Sequence, residues 1–292
     1  VVRLVGSEMC IRDSLRTDIA IDFLNKKEDE SPFFLFMSYR APHSFEGPIR
    51  DTLLYADKGW PEIERVHAAK ITLLDKQVGR LLEKLKEINQ LDNTLILFTS
   101  DNGPHYARDG HELEFFDSNG QFKGGKRDLY EGGIRVPLIA YWDQNILPGS
   151  VSNHVSSFQD IMPTFSEIIG FENVHDTDGI SFLPTLLSKR QEKHNFLNWE
   201  FQLSGWFQTI PNGGFRQSVR LENWKAVRYN LNSDIELYNL KNDPGETKNI
   251  AKFHPNIINR VDSIFKISRT DAAGFPYGGV KQDYKSMDVY DY

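Results

Sequence analysis

Thr94–His105 reads TLILFTSDNGPH. Its first half, Thr94 to Ser100, is a short apolar and β-branched run that stops at a polar segment containing Gly and Pro. A run of this kind, bounded by turn residues, is the pattern of a strand buried on both faces. Working back along the chain, Pro61 to Asn89 reads as one long helix. Pro61 suits a first helical turn. Ile71, Leu74, Val78, Leu81, Leu82, Leu85 and Ile88 recur at three- and four-residue spacing as a single apolar stripe, and Leu91, Asp92 and Asn93 break it. Further back, FFLFMSY (Phe33 to Tyr39) is a second apolar run, opened by Pro32 and followed by the loop RAPHSFEGP, Arg40 to Pro48. Strand, long helix, strand is the βαβ order of a parallel sheet covered by helices. The expectation is an α/β fold with a mostly parallel, mixed sheet flanked by helices. Phe33–Tyr39 and Thr94–Ser100 are expected to be parallel strands of that sheet.

Outward from this core, Leu15 to Lys27 has the pattern of a short amphipathic helix, with Ile19, Ile21, Phe23 and Leu24 as its apolar positions. Val1 to Ser14, containing VGSEMCIRDS, shows neither helical nor strand periodicity and resembles translated adapter sequence. It is set aside as a non-native or disordered tail. Toward the C-terminus, RVPLIAYW (Arg135 to Trp142) is a third strand candidate, and Gln159 to Ile169 forms a short helix around Pro163. The character changes near residue 190. Phe196–Phe201, Phe215–Leu221, Trp224–Tyr229 and Ile235–Leu240 are short strand-like runs separated by turn compositions, which predicts a small antiparallel sheet. Asp243-Pro244-Gly245-Glu246 resembles a helix-capping box, and Pro255 to Ile267 suits a terminal helix. The organisation is therefore residues 1–14 as tail, 15–190 as the α/β part, and 191–292 as an α+β subdomain with an antiparallel sheet.

Composition narrows the partners. The net charge of the 292-residue chain is −7, with no long basic run, which argues against nucleic acid, because phosphate contacts need clustered Lys and Arg. No apolar stretch approaches the length of a membrane span. Cys10 is the only cysteine, so no internal disulfide forms.

In open α/β sheets, ligands bind beyond the carboxyl ends of the strands. His43 follows the first expected strand, and Asp101-Asn102 follow the second. Asp101 and Asn102 offer a carboxylate and an amide carbonyl side by side, the oxygen ligands that calcium and magnesium prefer. Asn-Gly is also a strong turn signal, but SDNG directly after an apolar strand favours the ligand reading. A lone histidine is more often a satisfied structural group. The position of His43 in a Pro-flanked loop after a strand suits a proton donor to a leaving oxygen. Lys126 lies in KGGKRDLYEGGIRVP, Lys123 to Pro137. It is either a solvated loop lysine or a cation on a glycine-loosened backbone that holds an anionic oxygen.

The ordered set APHSFEGP, HAAKITLLDKQVGRLLEKL, LFTSDNGPH, GGKRDLYEGGIRVP and DIMPTFSEIIG resembles the type I sulfatases of the alkaline phosphatase superfamily. WKAVRYN and IELYNLKNDPGETKNIA resemble that family's small terminal subdomain. The resemblance runs from about Leu15 to Lys252 and implies an alkaline-phosphatase-like fold, with residues 15–190 the C-terminal part of the catalytic domain. It implies that Asp101 and Asn102 are two ligands of one calcium or magnesium ion, and that Lys126 holds the sulfate. It also implies that His43, in an imperfect PHxP-type motif, sits near the bridging oxygen of the ester. The family's nucleophile is a formylglycine made from Cys or Ser in C/S-x-P-x-R. No such motif occurs in this sequence, so the expected enzyme is a longer parent and this chain alone is expected to be inactive.

The expected partner is a sulfated carbohydrate or an aryl sulfate ester. Asp109 and His111 are candidates for contacts to sugar hydroxyls, and Tyr106, Phe115, Phe116, Trp206 and Phe207 either stack on sugars or pack a core. The family resemblance implies a periplasmic or extracellular location. Two other readings are a phosphoesterase or phosphonate hydrolase of the same superfamily, and a non-catalytic carbohydrate-binding relative. Asn102 speaks against the two-metal phosphoesterases, which place a zinc-binding histidine there. The oligomeric state is not readable from the sequence.

Overall fold

The computed structural model describes residues 8–27, 31–43, 52–105, 111–171, 177–202 and 215–270. The chain divides into two compact units, the first comprising Val1–Thr99, His105–Ser118 and Leu138–Leu147, the second Ser100–Pro104, Asn119–Pro137 and Pro148–Tyr292.

In the first unit, helix α1 spans Glu8–Asn25. It starts before the expected Leu15, so Glu8 to Ser14, assigned above to a tail, belong to the helix. Its buried face is Asp13, Thr17, Ala20 and Leu24, a three-and-four spacing, whereas Ile19 and Phe23 are exposed. The two polar members of that face hold the neighbouring chain. The Asp13 carboxylate accepts the Arg40 and Ala41 amides at 3.1 and 2.9 Å, and the Thr17 hydroxyl lies 2.9 Å from the Tyr39 hydroxyl. Helix α2, Glu62–Glu87, follows Pro61. Glu62 and Glu64 in its first turn and Lys84 and Lys86 in its last match the helix dipole. Arg80 of α2 pairs with Asp18 of α1 at 2.5 Å.

Phe33–Tyr39 forms no strand, and its expected parallel pairing with Thr94–Ser100 is not made. The segment is extended, with Phe33, Leu35, Met37 and Tyr39 half-buried and Phe34 and Phe36 exposed by 71 % and 78 %. A strand is defined by a hydrogen-bonded neighbour, and this segment is anchored instead by the side chains of α1. The second run does form a strand, β1, Ile96–Thr99, paired antiparallel with β2, Leu138–Tyr141, in the register Ile96↔Tyr141 and Thr99↔Leu138. Neither strand is buried on both faces, and Ile139 is 62 % exposed. The short helix α3 spans Leu113–Phe116.

The second unit carries α4 (Glu131–Ile134), α5 (Ile161–Ile168), α6 (Leu183–Leu186) and a four-stranded antiparallel sheet. Its strands are β3 (Leu197–Gln202), β4 (Phe215–Leu221), β5 (Trp224–Arg228) and β6 (Glu236–Asn239), paired in chain order. Helix α7, Pro255–Ile267, covers one face. Val219, Leu221, Ala226 and Leu237 of the sheet pack with Val261, Ile264 and Phe265 of the helix. The opposite face meets Leu129 and Tyr130 through Val227 and Tyr238. This is the period-2 division of a sheet covered on both sides. Asp243 does not cap a helix. Its carboxylate accepts the amides of Thr247 at 3.0 Å and Lys248 at 2.9 Å within a turn. Glu246 turns inward, at φ 51°, to accept the Glu131 amide at 2.7 Å.

Candidate functional site

In the second unit, the loop Ser100–Pro104 is seated on the glycine-rich segment 123–133. The Gly103 amide donates to the Gly133 carbonyl at 2.9 Å, and the Lys126 amide donates to the Pro104 carbonyl at 2.7 Å. Only glycine fits this crossing. A Cβ on Gly103 would stand 1.9 Å from the Gly132 carbonyl oxygen, and one on Gly132 would stand 2.2 Å from the Gly124 carbonyl oxygen. The SDNG and GGK motifs, two dozen residues apart in sequence, thus meet backbone to backbone.

The side chains on this crossing are Asp101, Asn102 and Lys126. Asp101 is exposed and Asn102 half-buried. The Asn102 Nδ2 donates to the Gly103 carbonyl at 2.8 Å, which commits the amide's donor end and leaves Oδ1 as its acceptor end. Burial lowers the pKa of the half-buried Lys126, Asp101 pulls it back up, and Arg127 reinforces the lowering. An opposite charge keeps the ammonium in place where desolvation alone disfavours it. The donor set is therefore one carboxylate, one amide oxygen and one cation. The two oxygens suit a hard divalent cation. Among the described residues no group of three or more His, Cys, Asp or Glu is arranged to hold a metal.

His43 and His111 belong to the first unit. The His43 carbonyl accepts the Lys70 ammonium at 2.9 Å, and its amide donates to the Arg40 carbonyl at 2.9 Å. Lys70 is itself buried on α2, so this loop is tied to the helix by a main-chain contact. His111 is buried, 5 % exposed, and stacks on His67 with ring centroids 3.7 Å apart. Its Nδ1 stands 3.5 Å from the buried Glu64 carboxylate, too long for a hydrogen bond. Neither ring nitrogen of His111 has a hydrogen-bond partner among the described residues. Burial, with His111 and Lys70 nearby, lowers His67 to about 4. Phe115 and Phe116 are partly exposed and meet Trp60 edge-on at 5.9 and 5.2 Å, which makes them members of a small aromatic cluster. Asp109, Tyr106, Trp206 and Phe207 lie outside the described residues.

Sequence reading missed the groups that hold the Lys126 loop. Asp128 accepts from Arg216 at 3.0 Å and from the Tyr229 hydroxyl at 3.2 Å. Glu131 is paired with Lys225 at 3.0 Å and Arg220 at 3.1 Å. Polar residues alternating along β4 and β5 ordinarily mark a solvated face, and nothing in the sequence shows that this face is covered.

Residues 9–171, more than half of the chain, match the Sulfatase family, and residues 118–265 match the C-terminal region of N-sulphoglucosamine sulphohydrolase. The chain belongs to the sulfatase family. It is 29% identical to the uncharacterized sulfatase YdeN of Escherichia coli, over 94% of this chain and 52% of that protein. It is 30% identical to human N-acetylgalactosamine-6-sulfatase, over 78% of this chain and 46% of that protein. The solved structure of Ps i-CgsB in complex with k-i-k-neocarrahexaose superposes with a TM-score of 0.76 at 25% identity, covering 91% of this chain and 56% of that one. These likenesses establish the α/β, alkaline-phosphatase-like class with its C-terminal antiparallel subdomain. The chain spans about half the length of the curated relatives it matches. Among the described residues, no helix is long and apolar enough to cross a membrane.

Proposed function

We propose that the full-length protein corresponding to this chain hydrolyses sulfate esters of carbohydrates. The observation that carries this reading is the Gly103–Gly132 crossing. In a chain of the sulfatase family, it sets an oxygen-donor pair, Asp101-Asn102, on the loop that carries a partly desolvated lysine. In this reading Lys126 holds a sulfate oxygen and stabilises the negative charge that builds there as the S–O bond breaks. Asp101 and the Oδ1 of Asn102 are two ligands of one calcium or magnesium ion, which supplies further charge withdrawal from the sulfate when bound. His43 donates the proton taken up by the departing sugar oxygen. His111 and Asp109 are the candidates for hydroxyl contacts to that sugar. The buried ring nitrogens of His111, which have no hydrogen-bond partner among the described residues, support this, because a buried polar atom calls for a partner.

The nucleophile of this reading is a formylglycine in the full-length protein, since no C/S-x-P-x-R occurs in these 292 residues. The chain by itself is therefore expected to be inactive. A carbohydrate substrate is favoured by the relatives, one an N-acetylgalactosamine-6-sulfatase and one solved with a neocarrahexaose. As the family resemblance implies, the protein works in the periplasm or outside the cell. The test is release of inorganic sulfate by the full-length protein from sulfated galactosides and from an aryl sulfate, with a phosphonate monoester as the contrast. Sulfate release that EDTA abolishes and calcium or magnesium restores is expected. Hydrolysis of the phosphonate alone, or sugar binding without turnover, would contradict the reading.

A further inference from the structure

The side chains of one sheet face in the second unit all point at the loop that carries Lys126. On β4 the loop-facing positions are 216, 218 and 220. On β5 they are 225 and 227, followed by 229. The registers Ser218↔Val227 and Arg220↔Lys225 put these on one face. Arg216 is buried and donates through one guanidinium nitrogen to two acceptors on the loop, the Arg127 carbonyl at 2.7 Å and the Asp128 carboxylate at 3.0 Å. Its guanidinium lies over the Tyr229 ring, 4.7 Å from the centroid, and the Tyr229 hydroxyl donates to the same Asp128 oxygen at 3.2 Å. The other Asp128 oxygen accepts the Gly125 amide at 3.2 Å. Arg127, next to Lys126, holds a left-handed φ of 79°. A non-glycine residue holds that conformation only where its surroundings impose it.

We propose that Asp128, Arg216 and Tyr229 form a positioning clamp for Lys126, and that the C-terminal sheet thereby sets the geometry of the anion-holding group. In this proposal the three act on the backbone of the loop and not on the anion. They fix Gly125 and Arg127, the two neighbours of Lys126, so the ammonium projects from a backbone that cannot relax. The role of Lys126 in catalysis rests on the sulfatase reading above. The clamp itself does not, and the two are separable by experiment.

The experiment uses the full-length protein and two readouts. The first is the acylation rate of Lys126 by an amine reagent, measured by mass spectrometry against the exposed Lys189 as internal reference. Arg216→Ala is expected to bring Lys126 several-fold closer to the reference rate. Tyr229→Phe, which deletes one hydrogen bond and keeps the ring under Arg216, should move it in the same direction by less. Arg216→Lys should restore part of the protection. The second readout is steady-state hydrolysis of a sulfate ester. Arg216→Ala and Asp128→Asn are expected to lower kcat by roughly 100-fold while KM changes by less than about threefold, the pattern of a catalytic group displaced by an ångström. If Arg216→Ala does not fold, judged by its thermal melt, Tyr229→Phe and Asp128→Asn decide the matter. Unchanged Lys126 labelling in the folded variants overturns the clamp whether or not the protein is a sulfatase. Altered labelling in a protein that releases no sulfate from any ester supports the clamp and removes the sulfatase reading.

Discussion

The loop from Lys123 to Glu131 and the ribbon formed by β1 and β2 are both short, both rich in sequence signal, and held in opposite ways. The loop is polar, and its carboxylates Asp128 and Glu131 are paired with cations of the sheet. Glu131 is buried, where burial would raise its pKa, but Lys225 and Arg220 outweigh that and hold it below the usual carboxylate range. Lys225 has no exposed surface. The ribbon, and the extended segment Phe33–Tyr39 in the same unit, are apolar and largely uncovered, with Phe34, Phe36, Leu138 and Ile139 all exposed. Exposed large apolar groups in contiguous runs ordinarily mark surfaces meant to be covered. The lysine loop carries its own support among the described residues, whereas Phe98, Leu138 and Ile139 of the ribbon stand exposed. Stability should therefore respond to polar changes around the loop and hardly at all to apolar changes on the ribbon side.

The largest effect is expected at Lys225. Lys225→Ala leaves Glu131 buried with its closest cation removed, and a broken buried pair costs about 3–5 kcal/mol. Urea unfolding followed by far-UV circular dichroism measures it. A loss under about 1 kcal/mol would mean that Arg220 alone satisfies Glu131, and the contrast between the two regions would be overstated. Next is Gly103→Ala. The added methyl group meets a carbonyl oxygen at 1.9 Å that belongs to backbone, so the loop must shift, and overpacking of this kind costs about 1–3 kcal/mol.

A smaller effect is expected from pH. Burial raises the Glu246 carboxyl from its ordinary 4.5 to about 7, against the pull of Lys225 and the hydrogen bond from the Glu131 amide. A pKa raised by folding means that the fold favours the protonated form. That contribution is complete below about 4.5 and is lost as pH rises through about 7. Thermal melts should show stability falling across this window, and Glu246→Gln should flatten the slope. The smallest effect is expected at Phe36→Ser, which removes a side chain already 78 % exposed. Its unfolding free energy should stay within about 0.5 kcal/mol of the parent chain, with less binding of a hydrophobic dye. A substantial destabilisation would show that the segment is covered in solution.

Much of this was legible in the sequence, and the rest was hidden for physical reasons. Helix α7 has the expected bounds, because proline at its start and a strong apolar period both report local geometry. The four C-terminal strands were legible from turn spacing. Phe33–Tyr39 has the composition of a strand but no bonded neighbour, and pairing is a non-local fact that composition does not carry. Asp243-Pro-Gly-Glu offers the residues of a capping box and forms a turn, because Glu246 has a stronger demand elsewhere, at the Glu131 amide. Of the candidate site, Asp101, Asn102 and Lys126 stand out in the sequence because their motifs are contiguous. Arg216 and Tyr229 lie about ninety and a hundred residues from Asp128. Their contacts with Asp128 are long-range, so only the packed structure reveals them.

The most direct test of the account is the turnover of the full-length protein, with formylglycine installed, carrying Lys126→Ala or His43→Ala, assayed on a sulfated aryl ester and on sulfated galactosides. Each substitution removes one electrostatic or acid contribution and is expected to lower kcat by roughly 100-fold or more. Turnover near that of the unsubstituted protein in both variants would contradict the assignment of these residues, whatever the fold.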